Sequence, residues 1–354
     1  GSRYFGLELL DGYTNVFGYI GSRATGTHAK KYALVGPKWS EGKTPLGEAV
    51  DGVIRSSTPR IWVIGRTLVD GAADLDAAKT IQNGVKAHWD RGANLTRLNL
   101  SAPGPVATPQ AMKPTSSYFK ELADVLQDQT PPSRDNKTLK ALAHWGIGPG
   151  KNPMNGRSRE VKTLLVRGLQ RGAKKITTGL EAQRVASAKK HNGWILFDRI
   201  GDYGTDYLTR AIIAEFGLGA NKPQEAIYPA VTADYSGKTL TGKSGKIYQL
   251  HFPAGGLPTT INGFWSVTLY GSDKYFAANS LNRFAIGDRS PDLTYNPDGS
   301  LDLWVSHDVP PSGTSNWLPS PDGTFSMVLR VYRPGSSILN NTWIYPKVQS
   351  RLLG

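Results

Sequence analysis

The spacing that most suggests chemistry is Gly237-Lys-Thr-Leu-Thr-Gly242-Lys243-Ser244, which fits the phosphate-binding loop pattern letter for letter. In such loops a buried strand leads in and a helix N-terminus follows, so that backbone N–H groups cradle phosphates. Here the polar run Asp234-Tyr235-Ser236 leads in, and Gly245 and a β-rich run follow. Two strands joined by a Gly/Lys/Ser loop account for the same letters, so no nucleotide is expected. Among the six histidines none has the HExxH spacing of a zinc site. His251 and His307 stand in or just after strand-like runs, and Asp308 follows His307. If those strands are neighbours, the two form a metal or acid/base pair. The competing expectation is that each bonds a carbonyl at a strand end. No GxSxG elbow supports a serine hydrolase, and the carboxylates are too scattered to nominate a glycosidase pair. Tyr13, Tyr19, Trp62, Trp265, Tyr270 and Trp304 either line a sugar-binding cleft or fill cores. Arg330 lies within an apolar run, on the face opposite Phe325, Met327 and Leu329; it pairs with a residue such as Asp302, faces solvent, or recognises an anion.

The charge is concentrated. The chain carries +14, and between residues 134 and 190 fourteen basic residues against three acidic ones leave +11. That implies one local basic surface on a nearly balanced chain, and it argues against a protein that coats nucleic acid. Arg167, Arg171, Lys174 and Lys175 share the polar side of a helical pattern whose apolar positions are Val161, Leu164, Leu165, Gly168, Leu169 and Gly172. They are the candidates for binding an anionic polymer, an acidic glycan or lipid head groups. No aromatics interleave them, so base stacking is not indicated.

The elements that must position these groups are β-rich at both ends. Lys31–Val35, Gly52–Arg55 and Arg60–Gly65 read as strands, and Asp74 as the N-cap of a helix. Residues 92–114 are loop-like, with four prolines, and carry the sequons at Asn94 and Asn99; two more stand at Asn136 and Asn340. Helices are expected over Tyr118–Leu126, around 161–172, and over Tyr207–Phe216 before Gly217. Strands follow at Ile247–Phe252, with Tyr248, Leu250 and Phe252 on one face, at Phe264–Tyr270 and at Phe325–Tyr332. Asn296-Pro-Asp-Gly299 predicts a hairpin between 293–295 and 301–305.

At 354 residues the chain has room for about two domains. It has no cysteine, which excludes disulfide scaffolds, zinc ribbons and thiol chemistry. No apolar run of ~18 residues exists to span a membrane. No signal peptide opens the chain, which begins within a strand-like run and reads as mature or truncated.

Arg3–Phe17, Gly21-Ser-Arg-Ala-Thr-Gly26, Tyr32–Pro37, Ile54–Pro59 and Trp62–Arg66 together resemble the bacterial family called domain of unknown function 1254. Gly263–Tyr270, Asn279–Phe284 and Thr342-Trp343 with Pro346 resemble its companion, domain of unknown function 1214. The resemblance implies a β-rich (α+β) chain: an N-terminal β domain over 1–90, a helical, basic connecting segment over 91–225, and a C-terminal β-sandwich over 226–354. Both β domains are expected to be antiparallel sandwiches or jelly rolls. The resemblance further implies a periplasmic or secreted protein, and a family segment ahead of Arg3-Tyr-Phe that this chain lacks. It assigns no activity. Carried over by position, the ligand-binding candidates are Asp11, Asn15, Arg23, Trp265, Tyr270, Asn279 and Arg283. Asn15 and Asn279 have a competing role in satisfying turn backbones, and Arg283 in pairing with Asp288.

The expectation is a protein that binds or processes a carbohydrate or small organic acid in an interdomain cleft, with hydrolase- or lyase-like chemistry if it is an enzyme. The alternative is a non-catalytic envelope-associated protein that holds polyanions on the basic helix 157–190. A homo-oligomer is compatible with either.

Overall fold

The computed structural model describes residues 3–40, 47, 49–88, 117–197 and 199–352. The proline-rich stretch 92–114 and the sequons at Asn94 and Asn99 lie outside the described residues. The chain divides into two compact units, Gly1–Gly179 with Gly201–Ala220, and Leu180–Ile200 with Asn221–Gly354.

In the N-terminal unit, β1 (Phe5–Asp11) is the middle strand of an antiparallel sheet, flanked on one side by β2 (Val16–Gly21) and on the other by the strand Ile61–Thr67. Its register against β2 shifts between Leu9 and Leu10, and both leucines are buried. The strands β3 (Tyr32–Val35) and β4 (Gly52–Arg55) pair parallel, and β5 (Ile61–Thr67) completes the three-stranded sheet. Among the described residues this is one antiparallel sheet and a parallel pair; helices supply the rest of the unit. These are α1 (Leu75–Gly84), α2 (Ser117–Asp128), α3 (Asn136–His144), α5 (Tyr207–Phe216) and, as far as Gly179, the 32-residue α4 (Arg159–Lys190), whose last residues belong to the C-terminal unit. Asp74 stands at the N-cap of α1 but makes no side-chain cap bond; it pairs with Arg3 instead. Asp206 caps α5 by accepting from Thr209 N–H at 3.0 Å. Gly179 lets α4 approach α5 closely, since a Cβ there would meet Ile212 at 3.1 Å.

The helix around 161–172 forms as expected, but its apolar stripe is not a buried seam among the described residues. Leu164 is 59 % exposed, and a Cβ on Gly168 or Gly172 would meet nothing within 4 Å. A helical period specifies a face, not a partner for it.

The C-terminal unit has two sheets. One orders β10 (Ala285–Gly287), β9 (Thr260–Gly271), β13 (Phe325–Pro334) and β6 (Ala226–Ile227), with β7 (Ala230–Val231) also on β13. The other orders β12 (Trp317–Pro319), β11 (Leu301–Ser306), β8 (Lys246–Phe252) and β14 (Val348–Leu352). A one-turn helix, α6 (Ser336–Leu339), follows β13. One buried cluster draws on both sheets, with Trp265, Val267, Leu329 and Val331 from the first and Tyr248, Leu250, Leu303 and Leu318 from the second. Along β8, Ile247 and Gln249 are buried as well as Tyr248, Leu250 and Phe252. The alternation of this strand therefore does not mark a wet face. The turn Asn296–Gly299 forms, with Ser300 C=O accepting from Asn296 N–H at 2.8 Å and Gly299 at φ 82. Residues 293–295 are not a strand, however, and β11 pairs with β8 and, in parallel, with β12. Long-range pairing decided the neighbours.

Candidate functional site

A cavity of about 480 Å³ opens in the C-terminal unit where α4 ends beside β7. After Lys190 the chain turns sharply through Asn192 at φ 54 and Gly193 at φ 94. Trp194 then anchors this wall, fully buried and with Nε1 donating to Pro346 C=O at 2.7 Å. Ile195 bridges to Ala230, so the segment leaving α4 is tied to β7. The residues after β7, Thr232 to Tyr235, form the facing wall.

Asp234 organises that wall. Its Oδ1 accepts from Ser236 N–H at 2.9 Å, Ser236 Oγ at 2.6 Å and Lys238 N–H at 3.0 Å. Its Oδ2 is buried and has no partner among the described residues. Burial pushes this carboxyl up, but the bonds from Ser236 and Lys238 and the nearby Lys246 charge outweigh it, so Asp234 sits below the ordinary aspartate range. It is therefore ionised at neutral pH. Beside it Tyr235 is 53 % exposed, its N–H fixed by Val348 C=O at 2.8 Å and its ring under Lys347 Nζ at 4.1 Å. Ala188 and Ile195 add apolar surface; Lys189 and Asn192 add donors. An aromatic ring, an amide and an ammonium group around a space of this size suit a small polar ligand.

Within each unit, the residues nominated from sequence are engaged in contacts of their own. Asp11 is buried and accepts from Tyr13 N–H and Asn15 N–H at 2.9 Å, from Asn15 Nδ2 at 3.1 and 3.0 Å, and from Ser57 Oγ at 2.9 Å, so it ties together the turn after β1. Arg23 is exposed, with its guanidinium 5.1 Å from the Tyr19 ring centroid. Trp265 is 3 % exposed and part of the core. Tyr270 takes a hydrogen bond from Arg330 Nη2. Asn279 closes its own turn, accepting from Leu281 and Arg283 N–H and donating to Ala277 and Arg283 C=O. Arg283 Nη1 donates to the carbonyls of Thr314, Ser315 and Trp317.

Two expected pairings are replaced by others. Asp288 accepts from Trp265 N–H, and the carboxylate nearest Arg283 is Asp292 at 3.8 Å. Arg330 bonds Tyr270 because both stand on the β9–β13 sheet, whereas Asp302 is on β11 and is held by His251, Gln249 and Asn296. His251 opposes Asp302 across the ladder, and its Nδ1 lies 2.8 Å from Asp302 Oδ1. His307 Nδ1 is 3.4 Å from Ser320 C=O, five positions further along from Asp302. At ~3.3 Å per residue that separation is too long for one metal to bridge, and among the described residues no three His, Asp or Glu gather as a metal site. Arg167, Arg171, Lys174 and Lys175 are all exposed on α4.

The motif Gly237–Ser244 contributes to the cavity only through its first glycine. Gly242 donates to Gly323 C=O, and Ser244 Oγ donates to Asp308 at 2.7 Å. Strand β8 follows, where a phosphate cradle requires a helix. Lys189, Asn192, Asp234 and Tyr235 were not singled out as site residues. Their signals were an Asn-Gly helix exit and an Asp-x-Ser-Gly turn, which mark turns without saying what the turns face.

Fold and cavity together define a two-unit α+β protein with a ligand-sized space in its strand-rich C-terminal unit. The chain belongs to the DUF1254/DUF1214 family: residues 1–88 match "Protein of unknown function (DUF1254)" and residues 225–336 match "Protein of unknown function (DUF1214)". The crystal structure of the VPA0106 protein from Vibrio parahaemolyticus has a similar fold, with a TM-score of 0.72 at 22% identity over 100% of this chain and 83% of that one. A protein from Burkholderia cenocepacia gives a TM-score of 0.32 at 13% identity, over 57% of this chain and 48% of that one. No curated protein matches the chain. No helix among the described residues is long and apolar enough to cross a membrane.

Proposed function

We propose that the C-terminal unit is a largely antiparallel β-sandwich that binds a carbohydrate or small organic acid in the cavity beside Tyr235. The observation that carries this is the lining: an exposed phenol ring next to an ionised Asp234, the Asn192 amide and Lys189, around about 480 Å³. A sugar lays its C–H face on an aromatic ring and bonds through its hydroxyls to amide and ammonium groups such as those of Asn192 and Lys189; Asp234, with Oδ1 engaged and Oδ2 buried, shapes the wall that carries Tyr235. Lys189 would hold a ligand carboxylate. Among the described residues Asp234 is the one carboxylate in the lining, where glycoside hydrolysis canonically uses a pair; the reading adopted is therefore binding. Family resemblance supports placing the protein in the periplasm or outside the cell, where such ligands are captured.

The test is saturation-transfer NMR against neutral monosaccharides, uronic acids and small hydroxy acids. We expect saturable binding of at least one class, weakened tenfold or more in Tyr235→Ala and in Asn192→Ala. Binding by no member of the panel, or binding unchanged in both variants, refutes the proposal.

A second reading rests on the exposure of Arg167, Arg171, Lys174 and Lys175 along α4. Four cations within about three turns present a charged strip to an anionic polymer. Such binding to heparin, used as a probe, collapses between low and moderate salt and is lost when all four become Gln, while cavity binding persists.

A further inference from the structure

The N-terminal unit holds a guanidinium for which no acceptor is provided among the described residues. Arg210 stands in the first turn of α5, with its guanidinium carbon 5.1 Å from the Tyr207 ring centroid and 5.8 Å from that of Tyr13. Each ring is fixed by other contacts. Tyr13 donates its hydroxyl to Gln129 C=O, and Tyr207 donates to the buried Asp135 at 2.9 Å while accepting from Thr138 Oγ1 at 3.1 Å. Burial pushes the Tyr13 phenol up to about 12 against the pull of the Arg210 charge, so at neutral pH it is no phenolate counter-ion. Arg210 Nη1 is buried without a hydrogen-bond partner among the described residues. Two ring faces offset part of the cost of burying a guanidinium, but they accept no N–H. The residue stays partly exposed, so solvent reaches the side chain.

The turn that supplies Tyr13 is itself unusual. Thr14, a β-branched residue, is held at φ 64, a left-handed conformation such residues rarely adopt. Asn15 is buried with its Oδ1 unpartnered among the described residues. The strained turn fixes the Tyr13 ring beside Arg210; Asn15 Oδ1, an acceptor, takes no part in holding an anion.

We infer that Arg210 binds an oxyanion, a carboxylate, sulfate or phosphate group, between the rings of Tyr13 and Tyr207. A guanidinium presents a planar fork that matches two oxygens of such a group, and two flanking rings hold that fork in one plane. This site is in the N-terminal unit and stands or falls independently of the cavity beside Tyr235.

The test is an NMR titration of the full chain labelled with 15N-arginine, against acetate, sulfate and inorganic phosphate at constant ionic strength set with chloride. We expect a saturable shift of the Arg210 Nε–Hε signal with at least one anion; which anion saturates first separates the carboxylate from the tetrahedral oxyanions. Arg210→Gln should weaken that binding at least tenfold, and Arg210→Lys, which keeps charge but loses the fork, by an intermediate factor. An Arg210 signal unmoved by all three anions overturns the inference without any variant. So does equal affinity in a folded Arg210→Gln.

Discussion

Replacing Arg283 with Met tests whether this arginine is a structural tie. Its Nη1 reaches three backbone carbonyls, Thr314, Ser315 at 3.2 Å and Trp317 at 2.9 Å, and so fastens the turn ahead of β10 to the strand β12. One Nη1 carries two hydrogens, so no more than two of these bonds are strong at once. A hydrogen bond to a charged group contributes about 1.5–3 kcal/mol. Thr314 and Ser315 are near enough to solvent to regain water, whereas Trp317 is buried. One bond fully lost and one partly replaced comes to about 2–3 kcal/mol, with the methionine stem preserving most of the packing. For a unit of this size that lowers Tm by roughly 4–10 °C. Thermal unfolding followed by circular dichroism measures it, and urea unfolding followed by tryptophan fluorescence gives the free energy directly. A Tm within about 1 °C of wild type would refute the assignment and return Arg283 to the ligand-binding candidates.

Three other outcomes follow from the geometry. Gly242→Ala should cost more than about 3 kcal/mol or prevent folding, because its Cβ would lie 1.8 Å from the Pro321 carbonyl oxygen; wild-type stability would mean the approach is not so tight. Thr14→Asn should raise stability by about 1 kcal/mol by relieving the left-handed strain, and an unchanged or lower urea midpoint contradicts that. Acid should destabilise the C-terminal unit. Burial raises the Asp302 carboxyl, but bonds from Asn296, His251 and Gln249 overrule it, so Asp302 and Asp234 both sit below the usual aspartate range. A depressed folded pKa contributes stability that is present above the unfolded value of about 3.9 and lost as pH falls through the folded one. The urea midpoint should therefore change little for this reason between pH 7 and 5 and fall below about pH 4; a midpoint that holds to pH 2.5 excludes the linkage.

Local pattern was enough to place α5, with Asp206 and Gly217 marking its ends, and to place β8, β9 and β13 by their β-branched and aromatic runs. The type of residue at these turns was equally legible, since the side chains of Asp234 and Asn279 accept from backbone N–H groups a few positions further on, and Gly299 takes the left-handed φ of its turn. What lay beyond reach was every choice between distant partners. Arg330 met Tyr270 and not Asp302, Asp288 went to Trp265 rather than Arg283, and β11 took β8 and β12 as neighbours over residues 293–295. The cavity walls come from residues some forty positions apart, and Arg210 meets Tyr13 across almost two hundred. Backbone propensities and capping bonds are short-ranged and are therefore written in neighbouring letters. Side-chain partners are settled by which strand pairings and packed faces win over the whole chain, so both candidate sites became visible only in the folded structure.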